Sequence, residues 1–600
     1  MLASEIWVRK PCIAQPHTPL CRVPSKHTGP VRVVGTVPEG LSLKSKSMAR
    51  KRLVLVFPPL SVPTSPPLGM AMLKGYIEKE LPDWDVIPCD LNLWTFDFLL
   101  DSIRRGALHL TPQAMERMGT DAAGLLRAAN VFKGVEGNAF YEMGPAYDAR
   151  GRAVLEFTEF AGQYLTSAAE RWDGQGQKDP ILNKMLDHIL SLEPDVVGIS
   201  AIFSHQLPVG AMLGRALREG SGLSVVFGGS CFTEGVEQFL THYPQSADAI
   251  VKGDGEGALK ALLQNDMDPT GIPGVFYRAK QEIVSTPSVF QKDIDAFGAP
   301  DFSDYDLHAY YSPEPVVPIL LTRGCYWRKC TFCVHYFSAG DTYRVGSMDE
   351  VINKLSRLVD LGVRNFYFVD EMLAPGYFVK LSEAIREAGL DISYFALSKP
   401  NKTFTPKVFE AMARSGCRYI MWGLESGNQR VVDLMGKGTV VEEIPDILAN
   451  ATRAGIYNHL YMICGFPTET RAEFRDTLDF LRTHAEHIHV VHRSLFSLEV
   501  GSPIYASPEK FGIVDTWKIA DTPLGPRLGY RTSSGMTMEE ARTAFQEALP
   551  FLRNFNPFGR YLGNYRDHAL LVYAHAQDAD QPRRFVHAAV QQALGDLRTS

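Results

Sequence analysis

Between residues 316 and 510, short strand-like runs alternate six times with amphipathic helical runs. The first pair is VVPILLTRG and MDEVINKLSRLVDLG, and the last strand-like run is HVVHRSLFSLE. This alternation is typical of a parallel sheet or barrel, because each helix returns the chain to the start of the next strand. Active groups in such folds gather at the carboxyl ends of the strands. After the first five strands stand a cysteine-rich loop, Asp370-Glu371, Ser398-Lys399, Glu425-Ser426 and Gly465-Phe466-Pro467.

The loop after the first strand, LLTRGCYWRKCTFC, contains Cys325, Cys330 and Cys333. Three closely spaced thiolates suit a metal centre that keeps one coordination position open, such as a [4Fe-4S] cluster with one iron unligated by protein. His335 follows two residues after the last of them, and the next cysteine is Cys417. Spacing alone therefore leaves two alternatives, a zinc site completed by His335 and three unrelated thiols.

A second alternating region lies upstream and starts with LVLVFPP at residues 53 to 59. After an insertion come DVVGISAIFS, LSVVFGGS and ADAIVKGDGEG. Their continuous apolar strands indicate a doubly wound sheet that is covered on both faces. Glycine-rich turns end the fourth and fifth strands and let a ligand approach the backbone, although GDGEG does not match the dinucleotide fingerprint.

The length of 600 residues allows two to four domains. We expect an extension at 1–47, a first α/β domain at 48–270 with a helical insertion at 97–180, a linker at 271–313, the second α/β unit at 314–510, and a helical segment at 511–600. The extension is rich in proline and poor in acids, which favours disorder or a start at Met48. In the last segment, Thr537 and Glu540 match a capping box.

Composition narrows the functional classes. A net charge of −7 does not favour a nucleic-acid-binding surface, and no apolar stretch is long enough for a membrane span. Nine cysteines, three of them in one loop, suit a reducing cytoplasm better than a disulfide scaffold. We therefore expect a cytoplasmic enzyme with neither nucleic-acid nor membrane partners.

The downstream motifs resemble the core of the radical S-adenosylmethionine (SAM) enzymes, a partial (β/α)6 TIM-like barrel. The matching pieces are the cysteine loop with Phe332 before its last cysteine, FVDEM, GLESGNQRVVDLMGKGT and ICGFPTET. One departure is that four residues, Tyr326 to Lys329, separate the first two cysteines where the family has three. The resemblance implies that Cys325, Cys330 and Cys333 bind a [4Fe-4S] cluster whose vacant iron chelates SAM.

The same resemblance implies a set of SAM contacts. Asp370 and Glu371 correspond to the segment that receives the SAM ammonium group, without the glycines usual there. Glu425 and Ser426 match the fourth-strand motif that contacts the ribose or methionine moiety. Phe332 and Ser398 complete the expected SAM-binding set, and no residue is assigned as catalytic.

Residues 48–270 resemble the Rossmann-like cobalamin-binding domain that precedes many radical SAM enzymes. The matching pieces are the turn at Pro58-Pro59, Gly-Ile-Ser at 198–200, Gly228-Gly229 and the run from Ala247 to Glu256. The implied cobalamin contacts are Pro58, Ser200, Gly228, Gly229, Gly253, Gly255 and Glu256. The Asp-x-His-x-x-Gly motif that supplies a lower cobalt ligand elsewhere is absent, and His205 is the only histidine placed near the expected site.

Together the two resemblances imply a class B radical SAM methyltransferase with three cofactors, a [4Fe-4S] cluster, SAM and cobalamin. The expected reaction is methylation of an unactivated carbon of a natural product or peptide, using SAM and methylcobalamin. An electron donor such as flavodoxin or ferredoxin is implied. One alternative is a rearrangement or cyclisation with the same cofactors, and a second is a non-catalytic cobalamin or redox sensor.

Overall fold

The structure, a computed structural model, describes residues 7–8, 50–59, 61–340, 342–555 and 559–576. The extension expected at 1–47 lies outside these residues except for the pair 7–8. The predicted α/β fold class is confirmed, because two parallel sheets follow one another along the chain and helices cover them. Within the described residues, no helix is long and apolar enough to span a bilayer.

The first sheet has seven strands in the order β2-β1-β3-β4-β5-β6-β7. Its strands are β1 (Lys51–Phe57), β2 (Trp84–Asp90), β3 (Val196–Ser200), β4 (Ser224–Gly228), β5 (Ala249–Val251), β6 (Val275–Ala279) and β7 (Glu282–Ser285). The first five are parallel, and β1 is buried from Leu53 onward, as a strand covered on both faces should be. The hairpin β6-β7 continues the sheet in antiparallel pairing, so this unit extends past residue 270.

Nine helices accompany this sheet in the described part of the chain. They are α1 (Leu68–Glu80), α2 (Leu91–Arg104), α3 (Pro112–Met118), α4 (Ala122–Phe132), α5 (Pro145–Gln175), α6 (Pro180–Ser191), α7 (Leu207–Ser221), α8 (Val236–His242) and α9 (Gly255–Gln264). Helices α3 to α5 lie within residues 97–180, where the sequence predicts a helical insertion, and their aromatic residues join the core around β1.

The second sheet has six parallel strands in sequential order, as the repeated pattern predicts. The strands are β8 (Val316–Ile319), β9 (Asn365–Phe368), β10 (Ser393–Ser398), β11 (Cys417–Glu425), β12 (Tyr457–Cys464) and β13 (Val490–Leu495). The helices around it are α10 (Met348–Asp360), α11 (Pro375–Glu387), α12 (Pro406–Arg414), α13 (Gln429–Leu434), α14 (Ile444–Arg453) and α15 (Arg471–Thr483). We refer to this unit as the barrel.

The segment after the barrel is not wholly helical, which corrects the sequence-based expectation. After the short helix α16 (Pro503–Ala506), it forms an antiparallel hairpin of β14 (Ile513–Thr522) and β15 (Gly525–Thr532). Helices α17 (Met538–Leu552) and α18 (Arg566–Ala576) follow. The capping box at the start of α17 is confirmed, because Thr537 N donates to the Glu540 carboxylate at 2.8 Å and Glu540 N donates to Thr537 Oγ1 at 3.2 Å.

A buried histidine joins three distant parts of the chain. Tyr147 of α5 has its hydroxyl 2.7 Å from His568 Nδ1, and the Tyr311 carbonyl lies 2.6 Å from His568 Nε2. Because a carbonyl can only accept, Nε2 carries the proton and Nδ1 accepts from the tyrosine. Burial lowers the pKa of His568 to about 4. The neutral ring therefore connects the insertion, the segment before the barrel and α18.

We expect stability to depend on pH through His568. Since its pKa is about 6.5 when unfolded and about 4 when folded, only the unfolded chain gains this proton between those values, and stability falls as the pH drops through them. His568→Gln should remove up to about 3 kcal/mol of this pH-dependent loss. Melting temperatures between pH 7 and pH 4.5 should therefore fall less steeply in the variant. The exposed His109→Gln is the control, and an equal slope in His568→Gln and wild type would contradict the assignment.

Candidate cofactor sites

The cysteine loop lies after β8 and is held by the segment that follows α13. Thr331 N donates to the Met435 carbonyl at 2.9 Å, and Trp327 Nε1 donates to the Gly436 carbonyl at 2.8 Å. Gly436 and Gly438 both have positive φ, and a Cβ atom at either would collide with the loop, on the Lys329 carbonyl and the Trp327 ring respectively. The glycines of the GLESGNQRVVDLMGKGT motif thus let the two segments approach closely.

The extra residue between the first two cysteines is accommodated in an exposed turn. Arg328 has a φ of 51°, in the left-handed region that a non-glycine residue adopts only at some cost. Its side chain is exposed, whereas Cys330 is buried. The longer gap therefore changes the loop at its solvent side, while the three cysteines remain on one short loop.

The thiols share their surroundings with two lysines. Burial raises the pKa of Cys333 to about 12, and burial also raises that of Cys330, while the Lys437 charge acts in the opposite direction on both. Lys437 lies in a buried ion pair with Glu425, with 2.7 Å between Nζ and Oε1. Lys399 has its pKa lowered to about 8 by burial and by Lys437. Two buried cations close to three thiols suit thiolate ligands, whose charge they would offset.

Within the described ranges, no three His, Cys, Asp or Glu side chains converge on the position of a single ion. In a [4Fe-4S] cluster with three cysteine ligands, each thiolate binds a different iron, so the ligands surround a group larger than one ion. The donor type, the single loop and the neighbouring lysines fit such a cluster. Assignment of Cys325, Cys330 and Cys333 as its ligands stays a prediction.

The two acidic residues after β9, Asp370 and Glu371, lie in different environments. Asp370 is fully buried and accepts hydrogen bonds from Thr322 N at 2.5 Å, Thr322 Oγ1 at 2.7 Å and Leu321 N at 3.2 Å. Burial raises its pKa to about 7. Glu371 instead lines the large cavity described below, and burial raises its pKa as well. Asp370 thus connects the ends of β8 and β9, whereas Glu371 faces the cavity.

The remaining predicted SAM residues are mostly engaged within the barrel. Ser398 Oγ donates to the Leu373 carbonyl at 2.8 Å, and Ser426 Oγ lies 3.1 Å from Thr477 Oγ1. Glu425, the last residue of β11, has a φ of 65° and pairs with Lys437. Phe332 packs in an apolar cluster with Val431, Met435 and Phe466. None of the four lines the cavity that Glu371 reaches, so their roles as SAM contacts stay predictions.

One cavity of about 1440 Å³ extends from the carboxyl ends of β1, β3, β4 and β5 to the end of the barrel formed by β8 and β9. Its lining includes six of the seven predicted cobalamin contacts, Ser200, Gly228, Gly229, Gly253, Gly255 and Glu256. The exception is Pro58, whose carbonyl instead accepts a hydrogen bond from Gln206 Nε2 at 2.5 Å. The barrel side contributes Arg323, Gly324, Tyr367 and Glu371, and α5 covers part of the cavity.

Several glycines leave the cavity wall without side chains. A Cβ atom at Gly228 would meet nothing nearer than 3.8 Å, and one at Gly255 nothing nearer than 3.6 Å. Across the cavity, a Cβ at Gly162 of α5 would meet no atom within 4 Å. His205, the histidine singled out by sequence, lines the same cavity and stacks on Phe203 with ring centroids 5.3 Å apart. These bare backbone surfaces fit a large flat group such as a corrin ring.

A cluster of buried ion pairs connects the two units beside this cavity, and sequence analysis did not find it. Asp254, in the turn after β5, is 2.6 Å from Arg323 Nη1 and 2.6 Å from Arg344 Nη1. Arg323 also pairs with Glu256, which gives this predicted cobalamin contact a second role. Burial raises the pKa of Asp254, but the two arginines outweigh it and bring the net value below its usual range. In the sequence, Arg323 stands two residues before Cys325, which marks it as a residue near the cysteine loop. This position does not indicate which carboxylates pair with it.

Comparisons with known proteins agree with the division of the chain into two successive α/β units. Residues 319–481 match the Radical SAM superfamily, and residues 173–263 match the B12 binding domain. The uncharacterized methyltransferase PH0819 of Pyrococcus horikoshii is 30% identical over 302 residues, covering 49% of this chain and 65% of that protein. The bacteriochlorophyllide d C-12(1)-methyltransferase of Chlorobaculum tepidum is 29% identical over 214 residues, covering 34% and 46%. The chain thus spans less than two thirds of the length of either relative.

A solved structure extends the likeness over nearly the whole chain. The cobalamin-dependent S-adenosylmethionine radical enzyme OxsB, with aqua-cobalamin and S-adenosylmethionine bound, superposes with a TM-score of 0.60 at 14% identity, covering 92% of this chain and 72% of that one. At this identity the match shows the shared fold. The domain matches support the cofactor set expected from sequence, a [4Fe-4S] cluster, SAM and cobalamin. Along the chain, a region that matches the B12 binding domain is therefore followed by a region that matches the Radical SAM superfamily.

Proposed function

We propose that this protein is a methyltransferase that transfers a methyl group to an unactivated carbon of a small molecule or peptide. The observation that carries the proposal is the single cavity bounded by both domains. Ser200 and Gly228 of the first sheet line one part of it, and Tyr367 and Glu371 of the barrel line another. A substrate in this space can face both cofactors at once. The two curated relatives reported above are methyltransferases, which supports the same reaction type.

The chemistry gives a reason for two cofactors in one space. A carbon without an acidic proton cannot attack a methyl donor as a nucleophile, so a hydrogen atom must first be removed. When bound, the cluster with SAM would supply the radical that removes it, and cobalamin would supply the methyl group. The protein's part is to hold and orient these groups and to exclude water and competing reactions.

Specific residues of this chain are proposed to hold the two cofactor sites and to fix the distance between them. Cys325, Cys330 and Cys333 would hold the cluster, and Lys437 would offset its charge. Glu371 would accept hydrogen bonds from the SAM ammonium group at the barrel side of the cavity. The ion pairs of Arg323 with Asp254 and Glu256 would fix the distance between the two cofactor sites.

We also propose a cytoplasmic location and an electron donor of the flavodoxin or ferredoxin type. The seven cysteines among the described residues, including the cluster loop, are free thiols, which suits a reducing compartment. An electron donor is included in the proposal because the cluster must be reduced before it can cleave SAM. The proposed substrate is a natural product or a peptide.

Replacement of each loop cysteine tests the cluster. Cys325→Ala, Cys330→Ala and Cys333→Ala should each lower iron and sulfide content after anaerobic reconstitution and abolish 5′-deoxyadenosine formation, because each removes one iron ligand. Cys417→Ala is the matched control, since Cys417 is fully buried in β11. The assignment fails if the loop variants retain full iron content and SAM cleavage.

Replacement of Glu371 tests the SAM site. Glu371→Gln removes a charged acceptor, so the KM for SAM in 5′-deoxyadenosine formation should rise roughly 10- to 100-fold, the equivalent of a lost charge-assisted hydrogen bond. Glu387→Gln, at the exposed end of α11, should leave this KM unchanged. If the KM for SAM is unchanged in Glu371→Gln, another residue must bind the SAM ammonium group.

The reaction type is tested with the reconstituted protein, SAM, methylcobalamin and a reductant, against candidate substrates from neighbouring biosynthetic genes. Methylation should add one CH2 unit to the product mass and consume SAM, with the methyl group traced by isotopic label. A product of unchanged carbon count would favour the rearrangement or cyclisation alternative. Absence of SAM cleavage by the reduced protein would instead favour the non-catalytic sensor.

A further inference from the structure

Arg566 extends from the first residue of α18 into the wall of the cavity. Its Nη1 donates a hydrogen bond to the hydroxyl of Tyr367 at 2.9 Å, and both residues line the cavity with Glu371. Tyr367 belongs to β9, so the guanidinium lies at the barrel side, where the substrate would meet SAM. This position makes Arg566 a candidate for substrate contact.

Arg566 has no carboxylate within 4 Å among the described residues. The adjacent Asp567 directs its carboxylate to Thr64, with 2.6 Å between Oδ2 and Oγ1. Arg323, which also lines the cavity, instead forms ion pairs with Asp254 and Glu256. The groups that act most strongly on Arg566 are the tyrosines Tyr367, Tyr461 and Tyr419. The charge of Arg566 also acts on the Asp567 carboxylate, but the two side chains form no direct ion pair.

The position of Arg566 at the start of α18 also favours a bound anion. The first turn of an α-helix carries a partial positive charge, so cations are disfavoured there and anions are favoured. A partly buried guanidinium that forms no direct ion pair also costs free energy, because it loses hydration without that compensation. A bound oxyanion would offset both costs, and the planar guanidinium can bind it through two parallel hydrogen bonds.

We propose that Arg566, together with the Tyr367 hydroxyl, binds an oxyanion of the substrate, a carboxylate or a phosphate-type group, and thereby orients the reacting carbon. This inference rests on the proposed function, because it assigns the substrate class of the same cavity. The substrate would enter with its anionic group at the end of β9 and its reacting carbon toward the cobalamin side. The cavity's apolar walls, which include Leu55, Val226 and Pro318, would contact the rest of the molecule.

The test measures anion binding by the anaerobically reconstituted protein with methylcobalamin, at constant ionic strength and without SAM or reductant. Isothermal titrations with acetate, methylphosphonate and inorganic phosphate distinguish a carboxylate from a phosphate-type group, and acetamide is the neutral analogue. At least one oxyanion should bind. Its Kd should rise about 10- to 100-fold in Arg566→Gln and about fivefold in Tyr367→Phe, in proportion to the charged and neutral hydrogen bonds lost.

Arg566→Lys keeps the charge without the planar fork and should give an intermediate Kd, which also covers the case that Arg566→Gln does not fold. Arg542→Gln, an exposed position on α17, is the matched control and should bind as wild type does. The proposal is overturned if no oxyanion binds to wild type, if acetamide binds as tightly, or if the Gln and Lys variants both keep the wild-type Kd. SAM cleavage by the wild-type protein is a separate measurement, so failure of the proposed function is distinguishable from failure of this site.

Discussion

The cluster of buried ion pairs at Asp254 connects the two halves of the molecule. Arg323 and Arg344 come from the barrel, whereas Asp254 and Glu256 follow the last parallel strand of the first sheet. Because removing one member would leave a buried charge unpaired, the cluster strongly favours one relative placement of the two units. Arg323 stands two residues before Cys325, so the same ion pairs that join the domains also position the start of the cysteine loop. The shared cavity depends on this arrangement.

The sequence was informative where local pattern determines structure. Continuous apolar runs predicted the parallel strands, and the capping box at Thr537 predicted the start of α17. The sequence was less informative where a side chain's partner lies far along the chain. Glu256, a predicted cobalamin contact, also pairs with Arg323, and Asp370 accepts hydrogen bonds from the end of β8 instead of facing the cavity. The hairpin β14-β15 escaped prediction because β14 is exposed beyond Ile513, and its apolar residues do not alternate regularly with polar ones as in a packed strand.

The interior of the barrel explains how a cavity-lining hydroxyl is kept in place. The rings of Tyr367, Phe395, Tyr419 and His459 stack in sequence across β9 to β12, with each adjacent pair of centroids 4.3 Å apart. His459 Nε2 lies 2.8 Å from the hydroxyl of Tyr573 in α18. This stack restricts Tyr367 through its neighbours on both the barrel and the last described helix. A restricted Tyr367 side chain suits the proposed site, in which a substrate carbon would be held between two cofactors.

The histidine contact between Tyr147 and His568 joins residues 421 positions apart, and α5 forms part of the cavity wall. Contacts of such long sequence separation close late, because the intervening loop must be ordered before they form. During synthesis, the strands that would receive the corrin emerge hundreds of residues before the helix that secures the covering wall. The wall that α5 contributes to the cavity would therefore be fixed only after α18 has been synthesised.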